Sequence, residues 1–455
     1  MTTEREMVLQ PFMTFALGTP AGQLRARPVS LGKTRADAVL LAYAADFDVD
    51  PYVGMFFFPT DTLKLALLSL DGELLWRKDL GRGVVPGQWF VPIHAFDLDG
   101  DGRDEIWFVN NVDPAHPLND RAYRLERLDS ETGESTGQWA WPTWGRHGPL
   151  SHTFRNFIFG GFVRDEPVLV TAQGTYADMH LQGWSPGMRE RWQHEIAADA
   201  PGARGSHMVP VADMNGDGVD EVLWGERCIE LDAGQELWCA DQDSYRGHSD
   251  IILPVLDRQT GAWFLYTCRE DQRDVAPRVA FYDAQGNRIW GKLESGHIDM
   301  GWGARLGDEA MTAMAIRIGK KTCGPDGRHH TGTECFAFDM FTGAQIDLRF
   351  DPYGTMPVDL NGDGRHELVR GAPVGDDPGD VLDRFGRPVG TVPGRAALAR
   401  KLGDYPGEQI LVYSPDGEVS IVGDANAEDT DAAKTRYANR YYRTCRQGGG
   451  LLGGL

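Results

Sequence analysis

The chain has 455 residues, and 45 Lys and Arg against 67 Asp and Glu give it a net charge of −22 at pH 7. Such a field repels polyanions, which argues against binding to nucleic acid or to anionic membrane surfaces, and any anionic ligand must be held by local cations. With 41 % hydrophobic and 10 % aromatic residues the chain can build a packed core, and it holds no apolar run long enough for a membrane-spanning helix.

The opening residues, MTTEREMVLQPFMTF, carry charges of both signs and lack the basic end, apolar run and small-residue cleavage site of a secretory leader. The chain as written is therefore expected in the cytoplasm, and an upstream start would make it secreted. Segment 1–35 has no internal repeat partner and is assigned as an N-terminal extension. From residue 36 to about 425 short Val/Ile/Leu/Phe runs alternate with Asp/Gly/Asn turns, and segments of helical period are few. The fold class is therefore all-β.

Two units recur along this stretch. One is a hairpin of the form apolar-x-Asp-x-x-Gly-x-x-apolar-Trp, clearest in LLSLDGELLW ending at Trp76, CIELDAGQELW ending at Trp238 and AFYDAQGNRIW ending at Trp290. Looser copies end at Trp139 and Trp192 or surround Gly343, Gly386 and Gly417. The other is an entry strand, an acidic turn and an apolar strand, as in HAFDLDGDGRDEIWFV, VADMNGDGVDEVLWG and VDLNGDGRHELVRG. Together they supply four strands, the content of one propeller blade. Eight copies predict an eight-bladed β-propeller over residues 36–425; seven blades are the alternative if a terminal copy only closes the ring. Segment 426–455, ending in GGGLLGGL, is expected to be flexible or to pack across the ring.

The acidic turns have the spacing of cation sites. In the first, Asp97, Asp99, Asp101 and Glu105 stand at positions 1, 3, 5 and 9, and the backbone carbonyl of Arg103 is available at 7. The pattern recurs at Asp213, Asn215, Asp217, Val219 and Glu221, and at Asp359, Asn361, Asp363, Arg365 and Glu367. Oxygens spaced this way wrap a hard cation, and the glycines permit the sharp turn, so Ca2+ is the expected cofactor. Flanking strands distinguish these turns from EF-hands and suggest a structural role. Asp46, Asp48 and Asp50 form a degraded copy and are not counted.

Six cysteines never fall into a paired zinc spacing and are read as mostly reduced thiols, although Cys323 and Cys335 bracket a Gly/His-rich loop that an oxidising compartment could close.

The entry segments hold the candidate site. Chance would place about two of the 12 histidines there. His94, His152, His207, His248 and His297 all fall in them, beside Arg155, Arg204, Tyr245, Arg246, Asp250, Asp299 and Trp302, while Tyr176 and Asp178 follow another strand. The same end of successive blades meets over the central channel. Arginine forks suit carboxylates, aromatics stack on sugar rings, and His or Tyr exchanges protons near neutral pH, so the mixture fits an anionic sugar.

The chain resembles the rhamnogalacturonan lyases of polysaccharide lyase family 11. The resemblance rests on LDGELLWRKDLGRGV followed by HAFDLDGDGRDEIWF, on ARGSHMVPVADMNGDGVDEVLWG, on GHSD at 247–250 and on IDMGWGARL at 298–306. It departs from the family pattern at NNVDPAHPLND from Asn110 and at SHTFRNF. The resemblance implies an eight-bladed calcium-binding propeller that cleaves a uronate glycoside by β-elimination, with a uronate-containing oligosaccharide or polysaccharide as its partner. That chemistry needs a base for the C5 proton, a cation for the uronate carboxylate and an acid for the leaving oxygen. His207 is then the first choice of base, His248 or Tyr176 the acid, and calcium or Arg155, Arg204 and Arg246 the neutralising charge. His152, Asp250, His297, Asp299 and Trp302 are candidate substrate contacts, and Asp250 and Asp299 either orient a histidine or hold a catalytic calcium. A glycoside hydrolase using two of Asp178, Asp250 and Asp299, and a non-catalytic carbohydrate-binding propeller, are the alternatives.

Overall fold

The computed structural model describes residues 6–32, 37–142, 148–270, 275–307, 311–324, 327–371, 378–446 and 449–455. Eight four-stranded antiparallel sheets form eight blades, together with one separate two-stranded hairpin. The innermost strands are Gln23–Val29, Ile93–Phe96, Asn156–Val163, Val211–Ala212, Ser249–Leu256, His297–Ala304, Thr355–Val358 and Arg395–Arg400. Each following strand steps outward, as the repeat anticipated.

Burial explains the patterning. Second strands are covered by the neighbouring blades on both faces, so Ala38–Ala44, AVLLAYA, is buried at every position. Outer strands are buried on one side only; in Leu74–Asp79 Trp76 alone is buried. Four of the repeat tryptophans join one blade to the next. The indoles of Trp76, Trp192, Trp238 and Trp290 donate to the carbonyls of Ser130, Leu231, Ala284 and Met340 at 2.8, 2.7, 2.9 and 2.9 Å. Each ring covers a glycine of that next turn, Gly133, Gly234, Gly286 or Gly343, where a Cβ would meet the indole at 2.5 to 2.7 Å. These glycines also have φ between 66 and 77°, so the turn and the ring contact demand the same residue.

The ring closes differently from the 36–425 boundary. Leu9–Ala16 pairs antiparallel with Glu418–Asp424 as the outer strand of the eighth blade, and Gln23–Val29 is the inner strand of the first. Segment 1–35 is thus part of the propeller in its described portion. A closing strand carries no repeat of its own, and its partner lies about 400 residues away, so local patterning does not reveal it. The described residues of 426–455 pack across one end of the ring. The helices Asp431–Ala438 and Arg440–Thr444 lead into Gly449–Leu452; Leu451, Leu452 and Leu455 are buried, and Leu256 donates its N–H to the Gly454 carbonyl at 2.9 Å. No helix among the described residues is long and apolar enough to cross a membrane.

Topology separates the two sets of singled-out residues. The acidic turns join first to second strands and lie on one face. Loops leading into first strands, and loops from second to third strands, lie on the other.

Candidate functional site

On the first face, the three acidic turns share one geometry. Asp97 accepts from the backbone N–H groups of Gly100 and Gly102 at 2.7 and 2.8 Å, and Glu105 accepts from Leu98 at 2.9 Å. Asp213 accepts from Gly216 and Gly218 at 2.7 and 3.0 Å, and Glu221 from Met214 at 2.7 Å. Asp359 accepts from Gly364 and Glu367 from Leu360, both at 3.0 Å. The residues at position 8 of the turns, Asp104, Asp220 and His366, donate their N–H to Ser30, Phe162 and Arg305 of the preceding blade at 2.8, 2.9 and 2.9 Å. A cation here would therefore brace one blade against the next.

The donor set fits such an ion. Oxygens of Asp97, Asp99 and Asp101 lie within 4.8 Å of one another. One buried oxygen of Asp359 has no hydrogen-bond partner among the described residues. Burial, reinforced by neighbouring carboxylates, pushes Glu105 up to about 7, Glu221 up to about 8 and Asp359 up to about 7. An oxygen-only shell crowded with negative charge suits a hard divalent cation.

The opposite face carries a second, mixed cluster over blades three to six. His207 precedes the fourth blade's inner strand; its Nδ1 lies 3.0 Å from Asp250 Oδ1 and its Nε2 lies 3.3 Å from the Tyr176 hydroxyl. His248 sits behind, its Nε2 3.6 Å from the same Asp250 oxygen and in contact with Glu270. Glu270 Oε1 is 2.6 Å from His297 Nε2, which is 3.0 Å from Asp299 Oδ1. Lys321 Nζ completes the chain at 2.8 Å from that oxygen, and His330 Nε2 lies 3.3 Å from the other oxygen of Asp299. Two overlapping groups, His207–His248–Asp250–Glu270 and Asp250–Glu270–His297–Asp299, have their ligand atoms within 4.8 Å of one another. Either fits a divalent ion through carboxylate and imidazole donors.

The protonation pattern follows from this crowding. Enclosure, helped by Arg155 and His248, holds the His207 imidazole well below its ordinary value. It is therefore neutral near pH 7, and 23 % of its side chain remains open to solvent. Burial and the charges of Glu270 and Asp299 push Asp250 well above the usual carboxylate range. Burial acts upward on Glu270 as well, but hydrogen bonds from His248 and His297 win and hold it well below.

Other expected residues fall nearby or elsewhere. Arg155, 3 % exposed, lies over the rings of Trp89 and Tyr176 at 4.6 and 5.4 Å and pairs with Asp50 at 3.4 Å. Its Nε and Nη1 are buried without a hydrogen-bond partner among the described residues. His152 packs its ring 6.0 Å from Tyr176. Tyr176 itself has φ of 73°, a strained conformation of the kind found at working sites. Arg204 and Arg246 turn away: the first binds the carbonyls of Ala197 and Ala200, the second that of Asp199 at 2.8 Å. Trp302 is 2 % exposed in a core cluster and donates to Thr355 Oγ1 at 3.1 Å, so it is not placed to touch a ligand. The inner strand has a β-bulge between Ile298 and Met300, so simple alternation cannot place Trp302 relative to His297.

Glu270, Lys321, His330 and Trp89 were not anticipated. Glu270 ends TCRE in the loop equivalent to that of Tyr176, which is a usable signal. Lys321 and His330 pair across the hairpin Lys320–Gly324 and Gly327–Thr331, inserted into the sixth blade. The Gly/His-rich loop thus serves the cluster. Cys335 is a free thiol; the Cys323 side chain lies outside the described residues.

Comparison with known proteins bears on this face. Residues 161–315 match the family described as Rhamnogalacturonan lyase family 11, C-terminal domain, a span that includes His207, His248, Asp250, Glu270, His297 and Asp299. Over this span the chain is similar to the family 11 rhamnogalacturonan lyases. It is 26 % identical over 301 residues to Rhamnogalacturonan exolyase YesX of Bacillus subtilis, covering 54 % of this chain and 48 % of that one. It is 23 % identical over 348 residues to Rhamnogalacturonan endolyase YesW of the same organism, covering 65 % and 54 %. The chain spans about half the length of these curated rhamnogalacturonan lyases. The crystal structure of the exotype lyase YesX superposes with a TM-score of 0.72 at 20 % identity, over 91 % of this chain and 76 % of that one, which establishes the shared propeller fold.

Proposed function

We propose that this protein is a polysaccharide lyase that cleaves rhamnogalacturonan-type uronate glycosides by β-elimination, assisted by Ca2+. The observation that carries this reading is the convergence of a histidine held below its ordinary pKa, a tyrosine and a carboxylate cluster with the spacing to hold a cation on one face. With its Nδ1 side engaged by Asp250, His207 Nε2 faces Tyr176 and is the base for the C5 proton. Tyr176 carries the proton for the leaving oxygen. Arg155, with buried N–H groups beside the two rings, supplies charge for the uronate carboxylate. Held by Asp250, Glu270 and Asp299 with His248 and His297, a divalent ion would stabilise the enolate-like charge that forms on that carboxylate. His248, 1 % exposed, serves as one of these ligands and takes no proton from the substrate. Calcium at the three acidic turns has a structural role.

The test is ultraviolet absorbance of the unsaturated uronate product during incubation with rhamnogalacturonan, with and without a chelator. A calcium-dependent rise that His207→Ala abolishes is expected. No rise on any uronate polymer, from folded and calcium-loaded protein, would refute the lyase reading.

A further inference from the structure

Among the described lysines and arginines around this cluster, Lys321 alone pairs with the carboxylates that also group as cation ligands. Its ammonium is 2.8 Å from Asp299 Oδ1 and 3.8 Å from Glu270 Oε1. Those two residues belong to the group Asp250, Glu270, His297 and Asp299 whose ligand atoms lie within 4.8 Å of one another. A divalent ion bound there would sit at about 2.4 Å from its oxygens, within the range where two cations repel strongly. Ammonium and metal therefore contend for the same oxygens.

The surroundings allow one to leave. Lys321 is on the inserted hairpin, 23 % exposed, on a flexible four-carbon stem. His330, paired with it across the hairpin, approaches the opposite oxygen of Asp299 at 3.3 Å, and its Nδ1 lies 3.0 Å from the Tyr353 hydroxyl, so Asp299 keeps a partner without the lysine. Of the three arginines expected to meet an anionic sugar, Arg204 and Arg246 are held by backbone carbonyls, which leaves Arg155 beside the cluster. A released Lys321 ammonium would be a mobile cation beside the cluster.

We propose that Lys321 competes with the divalent cation for Asp299 and Glu270 and, once displaced, holds the uronate carboxylate of the substrate. The second half rests on the lyase reading above; the first does not. The ammonium keeps Asp299 and Glu270 preorganised, weakens cation binding, and makes capture of the acidic sugar follow cation loading.

The first arm of the test uses Co2+ alone on chelator-treated full chain, read from the visible absorption that imidazole ligation shifts away from that of oxygen-only turns. Lys321→Met is expected to bind Co2+ about ten-fold or more tightly than wild type, and Lys321→Arg, which keeps the charge, about as wild type does. Equal or weaker binding by Lys321→Met overturns the competition. Thermal melts check folding, and Lys321→Gln repeats the measurement if Lys321→Met is unfolded. The second arm measures, by calorimetry on cation-loaded protein, a galacturonate-ended disaccharide and its carboxyl-reduced analogue. Lys321→Met is expected to lose about ten-fold or more in affinity for the acidic sugar only. Unchanged affinity, or equal loss for both sugars, overturns the handover. If wild type binds neither sugar, the substrate reading and the handover fall together, while the cobalt arm still decides the competition.

Discussion

Replacing Glu270 with glutamine tests the cluster at its centre. Glu270 accepts from His248 and, at 2.6 Å, from His297. Burial opposes its ionisation, but these hydrogen bonds hold its carboxyl well below the usual range. Burial likewise acts downward on His297, but hydrogen bonds to Asp299 and Glu270 win and raise it above its ordinary value. A raised histidine contributes stability that is fully present below its unfolded pKa and is lost as pH rises through the folded one, and a depressed carboxylate loses its contribution only in acid. The pair therefore stabilises the fold between those limits. Without metal, at a pH above the raised His297 value, Glu270→Gln keeps one acceptor oxygen and turns an NH2 toward the other imidazole, which costs about 1 to 2 kcal/mol. At about pH 6 it also strips the half-buried His297 imidazolium of one of its two carboxylates, which brings the loss to about 3 kcal/mol, the low end for a broken buried pair because Asp299 remains. Urea unfolding of both proteins in chelator at the two pH values measures the difference. An equal loss at both, or a larger one at high pH, would refute this account of the cluster.

His207→Ala should lower kcat/KM on the polymer by about 10² to 10⁴ while leaving the melting temperature nearly unchanged; residual activity near wild type would remove His207 as base. At the acidic turns, Glu105 and Glu221 are raised to about 7 and about 8, so without a cation their share of stability is present below their ordinary range and is lost as pH rises through those values. Calcium should consequently raise the melting temperature more at about pH 8.5 than at about pH 5, and a pH-independent shift in calorimetry would contradict cation binding there. Trp290→Ala, which empties a buried site and removes the bond to Met340, should cost about 3 to 5 kcal/mol by urea unfolding; under about 1 kcal/mol would show that the blade contact matters little.

Much of this architecture was legible in the chain. The spaced tryptophans, glycines and acidic turns announce a repeated four-stranded unit because each blade solves the same packing problem, and local solutions leave local patterns. The three cation-type turns are short-range structures whose donors lie within nine residues of each other, so their spacing carries the geometry. Histidines before the inner strands were visible for the same reason, since the fold places equivalent loops on one face.

What remained hidden depends on distances the chain does not encode locally. Leu9–Ala16 finds its partner only when the ring closes on Glu418–Asp424. Arg204 and Arg246 look like ligand-binding cations, yet carbonyls of the 197–200 loop take their guanidiniums. Trp302 looked like a sugar platform until the bulged strand buried it in the core. Glu270, Lys321 and His330 come from a second-to-third strand loop and an inserted hairpin, and they become one cluster with His297 and Asp299 only because adjacent blades press these loops together. Composition and spacing determined the unit, its number and its turns; tertiary packing alone decided which charged groups face each other, because electrostatic pairing acts over a few ångströms in space and has no fixed separation along the chain.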